Sequence, residues 1–164
     1  MPPDLTPLTL AFVHQSLAAA KNRVRASKAA QDGQTDAALA LRALAEAQEV
    51  HAKKALTFLR GRIGSCAENL ALALQEAREM AVDSLGWTVQ SEAESDKPAG
   101  SLLTQMARAV ASHLTLLGPT ETAAGARYHV CTICGHIHAS GAGAAPGRCP
   151  VCQAVPEKFS EVRV

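Results

Sequence analysis

Two cysteine pairs near the C-terminal end, Cys131-Thr-Ile-Cys134 and Cys149-Pro-Val-Cys152, carry the clearest chemistry in this sequence. Each pair spaces two thiolates across a tight turn, and two such turns facing each other supply the tetrahedral sulfur cage that iron or zinc takes. Fourteen residues separate the pairs, and Gly135 and Pro150 stand where such turns need them. The alternative use of four thiols is two disulfides, which requires an oxidising compartment. The N-terminus MPPDLTPLTL has no basic stretch followed by a long apolar core, and no transmembrane run is present. The sequence therefore reads as cytoplasmic, with reduced thiols available to a metal.

These cysteines need a scaffold, and the rest of the 164 residues describes one. Alanine and leucine dominate the first two thirds and aromatic residues make up only 3%, which favours closely packed helices over strands. Thr6-Pro7 is an N-cap followed by proline at the first helical position, and Gly33 ends that segment, so a first helix spans about 7–31. A second starts at Thr35-Asp36 and keeps a helical apolar period, through Leu39, Leu44, Ala47, Ala55 and Phe58, until Gly61. Ser65-Cys66-Ala67-Glu68 has the form of a capping box and opens a third helix to about Ser91, with Gly86 as its weak point. Asp96-Lys97-Pro98 breaks the chain, and a fourth helix runs from about Pro98 to Leu117. Four such helices with short connections make an antiparallel four-helix bundle over 1–117.

Residues 118–126 form a polar linker, and residues 127–164 a small module with Tyr128, Val130, Ile137 and Phe159 as apolar anchors. So small a module has little core of its own, and metal must supply much of its folding energy. A net charge of +1, with no basic stripe interleaved with aromatics, argues against nucleic acid as a partner.

A helical bundle followed by a four-cysteine module resembles the rubrerythrin family. The segment YHVCTICGHIHASGAGAAPGRCPVCQAVPEKFSEV is similar to that family's rubredoxin-like module, including the aromatic before the first pair and Glu157-Lys158-Phe159 after the second. Ala26-Ser27-Lys28-Ala29, His51-Ala52-Lys53 and Gly61-Arg62-Ile63-Gly64 leading into Glu68-Asn69-Leu70 resemble family segments of the bundle. The resemblance implies a ferritin-like bundle holding two irons through five glutamates and two histidines. Aligned on those segments, this chain keeps His51, Glu76, Glu79 and His113, and places Gln15, Gln48 and Val110 where the other three glutamates stand.

For two of those three, no shift of register restores a carboxylate. The first helix has no acidic residue between Asp4 and Asp32, and the fourth has none between Asp96 and Glu121. On the second helix Glu46 and Glu49 are turned roughly 140° and 160° away from His51, whereas Gln48 shares its face. Two ferrous ions would bring four positive charges against the two carboxylates Glu76 and Glu79, an excess whose burial costs several kcal/mol or more. Two carboxylates and two imidazoles do balance a single divalent ion, so the expectation for His51, Glu76, Glu79 and His113 is a residual site with at most one metal, or none. In the metal-free case Glu76 and Glu79 bond to Gln15, Gln48 or an arginine.

Other residues have a plain reading. Asp83, one turn beyond Glu79, and His14 read as solvated side chains, Cys66 as a half-buried thiol at a helix start, and Trp87 as core or a subunit contact. His136 and His138 follow the first metal turn and are expected near the module surface.

The functional expectation is one-electron transfer through iron at Cys131, Cys134, Cys149 and Cys152, with zinc as the alternative ion and with the bundle centre partly or wholly lost. Two other readings stand beside it: a peroxide reductase with a rearranged bundle metal site, and a zinc-stabilised interaction protein. The resemblance also implies a homodimer paired head to tail, serving an unidentified redox partner.

Overall fold

A computed structural model describes residues 6–60, 63–117, 126–141 and 143–163. Four helices are followed by a small antiparallel sheet, which is the fold class expected from the sequence. The helices are α1 (Pro7–Gln31), α2 (Thr35–Arg60), α3 (Cys66–Ala93) and α4 (Lys97–Leu117); the strands are β1 (Arg127–Cys131), β2 (Ile137–Ser140) and β3 (Phe159–Glu161). The chain divides into two compact units, residues 1–64 and 65–164. The expected linker at 118–126 and the helix stop at Gly61 lie almost wholly outside the described residues.

The first unit is the α1–α2 hairpin. The Thr6 hydroxyl caps α1 by accepting from the Thr9 amide at 3.2 Å, and Gly33 turns the chain with a φ of +73°, a left-handed conformation that glycine adopts without strain. Its buried seam is made largely of alanine: Ala19 and Ala26 from α1, and Ala45, Ala52 and Ala55 from α2. Small side chains let two helices approach closely. One polar side chain is buried there, Asn22, whose Nδ2 donates to Gln48 Oε1 at 2.9 Å and whose Oδ1 accepts from Arg25 at 2.8 Å. Both ends of the buried amide are thereby satisfied, as burial demands.

The second unit joins α3, α4 and the sheet. α3 opens on the expected capping box: the Glu68 amide donates to Ser65 Oγ at 3.3 Å and the Ser65 amide to Glu68 Oε2 at 2.6 Å. It runs unbroken through Gly86. Asp96 Oδ1 accepts from the Ala99 amide at 3.1 Å and starts α4. A Cβ at Gly100 would stand 3.1 Å from Ser91 Oγ, so glycine is what lets α4 approach α3 there. In the sheet β1 lies centrally, in the order β2-β1-β3, with His129 opposite His138 on one side and Glu161 on the other. Helix α4 packs on β2.

Ser65→Ala removes the α3 cap and lowers stability by about 1 kcal/mol in urea unfolding followed by helical circular dichroism. The Ser65 amide holds the Glu68 carboxyl below its ordinary 4.5. A depressed folded-state value stabilises at pH above the unfolded value and is lost as pH falls through the folded one. The stability difference between wild type and Glu68→Ala is therefore full at neutral pH and narrows below pH 4.5.

Candidate metal centre

The two cysteine turns are built on one plan. The Gly135 amide donates to the Cys131 carbonyl and the Gln153 amide to the Cys149 carbonyl, both at 2.9 Å. Each of these closing residues is left-handed, Gly135 at φ +76° and Gln153 at +62°. Glycine is at ease in that region, whereas for Gln153 it costs roughly 1 kcal/mol. The turns are then pinned from behind, as the Cys131 amide donates to the His136 carbonyl and the Cys149 amide to the Ala154 carbonyl, again at 2.9 Å. β1 delivers Cys131 at its last position, and pairing with Phe159 of β3 fixes it there. The Thr132 amide and hydroxyl both bond the Lys158 carbonyl, at 2.8 and 2.9 Å, tying the first turn to the 3-10 turn Pro156–Lys158.

All four sulfurs consequently lie within 4.8 Å of one another. Cys131 Sγ is 3.6 Å from Cys152 Sγ, and Cys134 Sγ is 3.6 Å from Cys149 Sγ. A tetrahedral ion with metal–sulfur bonds of about 2.3 Å needs sulfurs about 3.8 Å apart, so the cage has the right size. A disulfide needs about 2.05 Å, and the thiols are free. The Cys131 and Cys149 side chains are buried, Cys134 and Cys152 half-buried.

Backbone dipoles converge on these sulfurs. Burial pushes the Cys131 thiol up, but the amides of Cys134 and Ile133, together with the Cys152 and Cys134 thiols, bring it down to about 7. For Cys134 burial prevails over the single amide of His136, and the neighbouring thiols push it further up. Burial also raises Cys152, against the Ala154 amide. The thiolate is thus favoured at Cys131, while Cys134 and Cys152 await a cation, which is the behaviour of a metal site whose protons leave as the ion binds.

The other expected ligands are distributed over both units. His51 is exposed on α2, and Glu76 and Glu79 are exposed on α3, where Glu79 accepts from Gln75 at 2.9 Å. His113, on α4, is engaged with the module: its Nε2–H donates to the Gly135 carbonyl at 3.1 Å. Beside it Ser112 Oγ accepts from the Ile137 amide at 3.0 Å. Neither contact is readable from sequence, because both join residues more than twenty positions apart. Gln48 bonds Asn22, and Val110 is buried as an apolar residue. His14, Cys66 and Asp83 are exposed, and Trp87 keeps 41% of its surface open. His136 and His138 are half-buried; His138 stands against the buried His129, with ring centroids 6.5 Å apart.

Residues 129–160 match the family model described as the rubrerythrin, rubredoxin-like domain. Among solved structures the chain is similar to nigerythrin in its fully reduced, all-ferrous state, at 20% identity over 94% of this chain and 84% of that one, with a TM-score of 0.52. The partially reduced state of nigerythrin matches at the same identity, coverage and TM-score, and its mixed-valent state at a TM-score of 0.50. No curated protein matches the chain. The resemblance to the rubrerythrin family therefore stands on both module and fold, and the C-terminal unit carries a four-cysteine metal site.

Cys149→Ser removes one buried thiolate of four. Cobalt titration, read by the thiolate charge-transfer absorption, should show affinity weakened at least tenfold while helical circular dichroism is retained. Equal affinity in the variant would exclude Cys149 from the site.

Proposed function

We propose that this chain is a rubrerythrin-like non-haem iron protein that transfers single electrons at Cys131, Cys134, Cys149 and Cys152, with the di-iron centre of the helices partly or wholly lost. The observation that carries the proposal is the tetrahedral sulfur cage with backbone amides directed at its thiolates. Iron bound there supplies a one-electron couple that needs no change of ligands. The chain's own part is to hold four thiolates at fixed separation, so that little reorganises when charge changes. Half-buried Cys134 and Cys152, beside exposed Ile133 and Pro150, give a redox partner close approach to the sulfurs.

Iron is favoured over zinc by the match to the rubrerythrin module and by the ferrous state of nigerythrin, since the sulfur geometry itself accepts either ion. The peroxide-reductase reading is weakened by Gln15, Gln48 and Val110 at the places of three glutamates, and by the commitment of Gln48 to Asn22. We further propose cytoplasmic residence and a head-to-tail homodimer, following the family resemblance.

Reductive titration of the iron-loaded protein tests the function. One reversible electron per chain, followed by slow and substoichiometric turnover of hydrogen peroxide, is expected. Many peroxide turnovers per chain would establish the reductase instead, and an ion that cannot be reduced would leave the module structural.

A further inference from the structure

Helix α4 reaches the sulfur cage through one peptide group. The carbonyl of the Gly135–His136 peptide accepts from His113 Nε2–H at 3.1 Å. The N–H of that same peptide, belonging to His136, donates to the Cys134 sulfur. The following peptide is held differently. Its N–H, of Ile137, donates to Ser112 Oγ at 3.0 Å, and its carbonyl, of His136, accepts from the Cys131 amide at 2.9 Å. Ser112 thus grips the turn through a peptide whose other end meets a backbone amide and no sulfur. His113 grips the peptide whose other end meets the Cys134 sulfur.

The geometry points to His113 as a positioning residue that sets the reduction potential of the four-cysteine site by polarising the Gly135–His136 peptide. A hydrogen bond accepted at a carbonyl draws electron density from the amide nitrogen, so the N–H at the other end becomes a stronger donor; such chains strengthen each bond by about 10–30%. Reduction adds one unit of negative charge to the thiolates and their ion, taken up from an external one-electron donor. A stronger N–H donor stabilises that added charge, and the potential rises. His113 was expected to be a bundle metal ligand on grounds of resemblance. Its observed bond gives it a task at the cysteine site that needs no metal among the helices.

This inference builds on iron occupancy of the cage, and the test separates the two. Wild type, His113→Ala, His113→Gln and Ser112→Ala are loaded with iron and titrated with dithionite against redox dyes. The Gln amide can place its N–H near the imidazole Nε2. His113→Ala should lower the equilibrium constant for reduction three- to tenfold, the upper limit corresponding to about 59 mV. His113→Gln should recover most of the loss, and Ser112→Ala should change the constant less than twofold. In the diamagnetic zinc form, the His136 amide proton should move upfield in His113→Ala and stay in place in Ser112→Ala. An unshifted potential in His113→Ala, or an equal shift in Ser112→Ala without rescue by glutamine, would overturn the role of His113. Failure of the wild type to take up reducible iron would refute the electron-transfer reading, while the zinc-form amide shift would still decide whether His113 polarises the peptide.

Discussion

Everything in the C-terminal module depends on bringing four thiolates within 4.8 Å of each other. Like charges at that distance repel, and sulfur is poorly solvated when buried, so the arrangement holds only with a cation inside and N–H donors outside. The backbone is shaped around this requirement. Two left-handed residues close the turns, one of them Gln153 at some cost, and the strand registers of β1 with β2 and β3 fix where the turns meet. Among the module's described residues the buried side chains are Cys131, Cys149 and His129. The centre of the module is therefore the metal site itself.

The helices follow a different rule, closeness through small side chains. Alanines line the α1–α2 seam, and Ser84, Ser91, Gly100 and Ala109 serve α3 and α4. Such seams bury little apolar area per residue, and they leave Asn22–Gln48 as a part-buried polar contact between α1 and α2, beside the exposed Arg23–Glu49 ion pair. A glutamine at 48 makes that contact neutral.

Much of this was legible in the sequence because the signals are local. Caps at Thr6 and Ser65, the turn glycine at 33 and the break at Asp96 placed the helix boundaries within about two residues, since each is a contact between neighbours in the chain. The cysteine spacing likewise announced the cage. What sequence left hidden were contacts across long separations and the left-handed conformations of Ser95 and Gln153. The left-handed Gln153 carries no glycine to mark it, and it is visible only by analogy with Gly135 in the matching turn. The bonds of Ser112 and His113 to the first turn depend on how α4 lies on β2, which no periodicity encodes. That α1 and α4 carry no carboxylate was readable directly, because an acid-free helix stays so in any register.

Metal stoichiometry in freshly purified protein tests the account most directly. One iron per chain, lost when Cys131, Cys134, Cys149 or Cys152 is replaced, is the predicted result. About three irons per chain, two of them surviving loss of the cysteines, would contradict it by showing that the helices hold a di-iron centre.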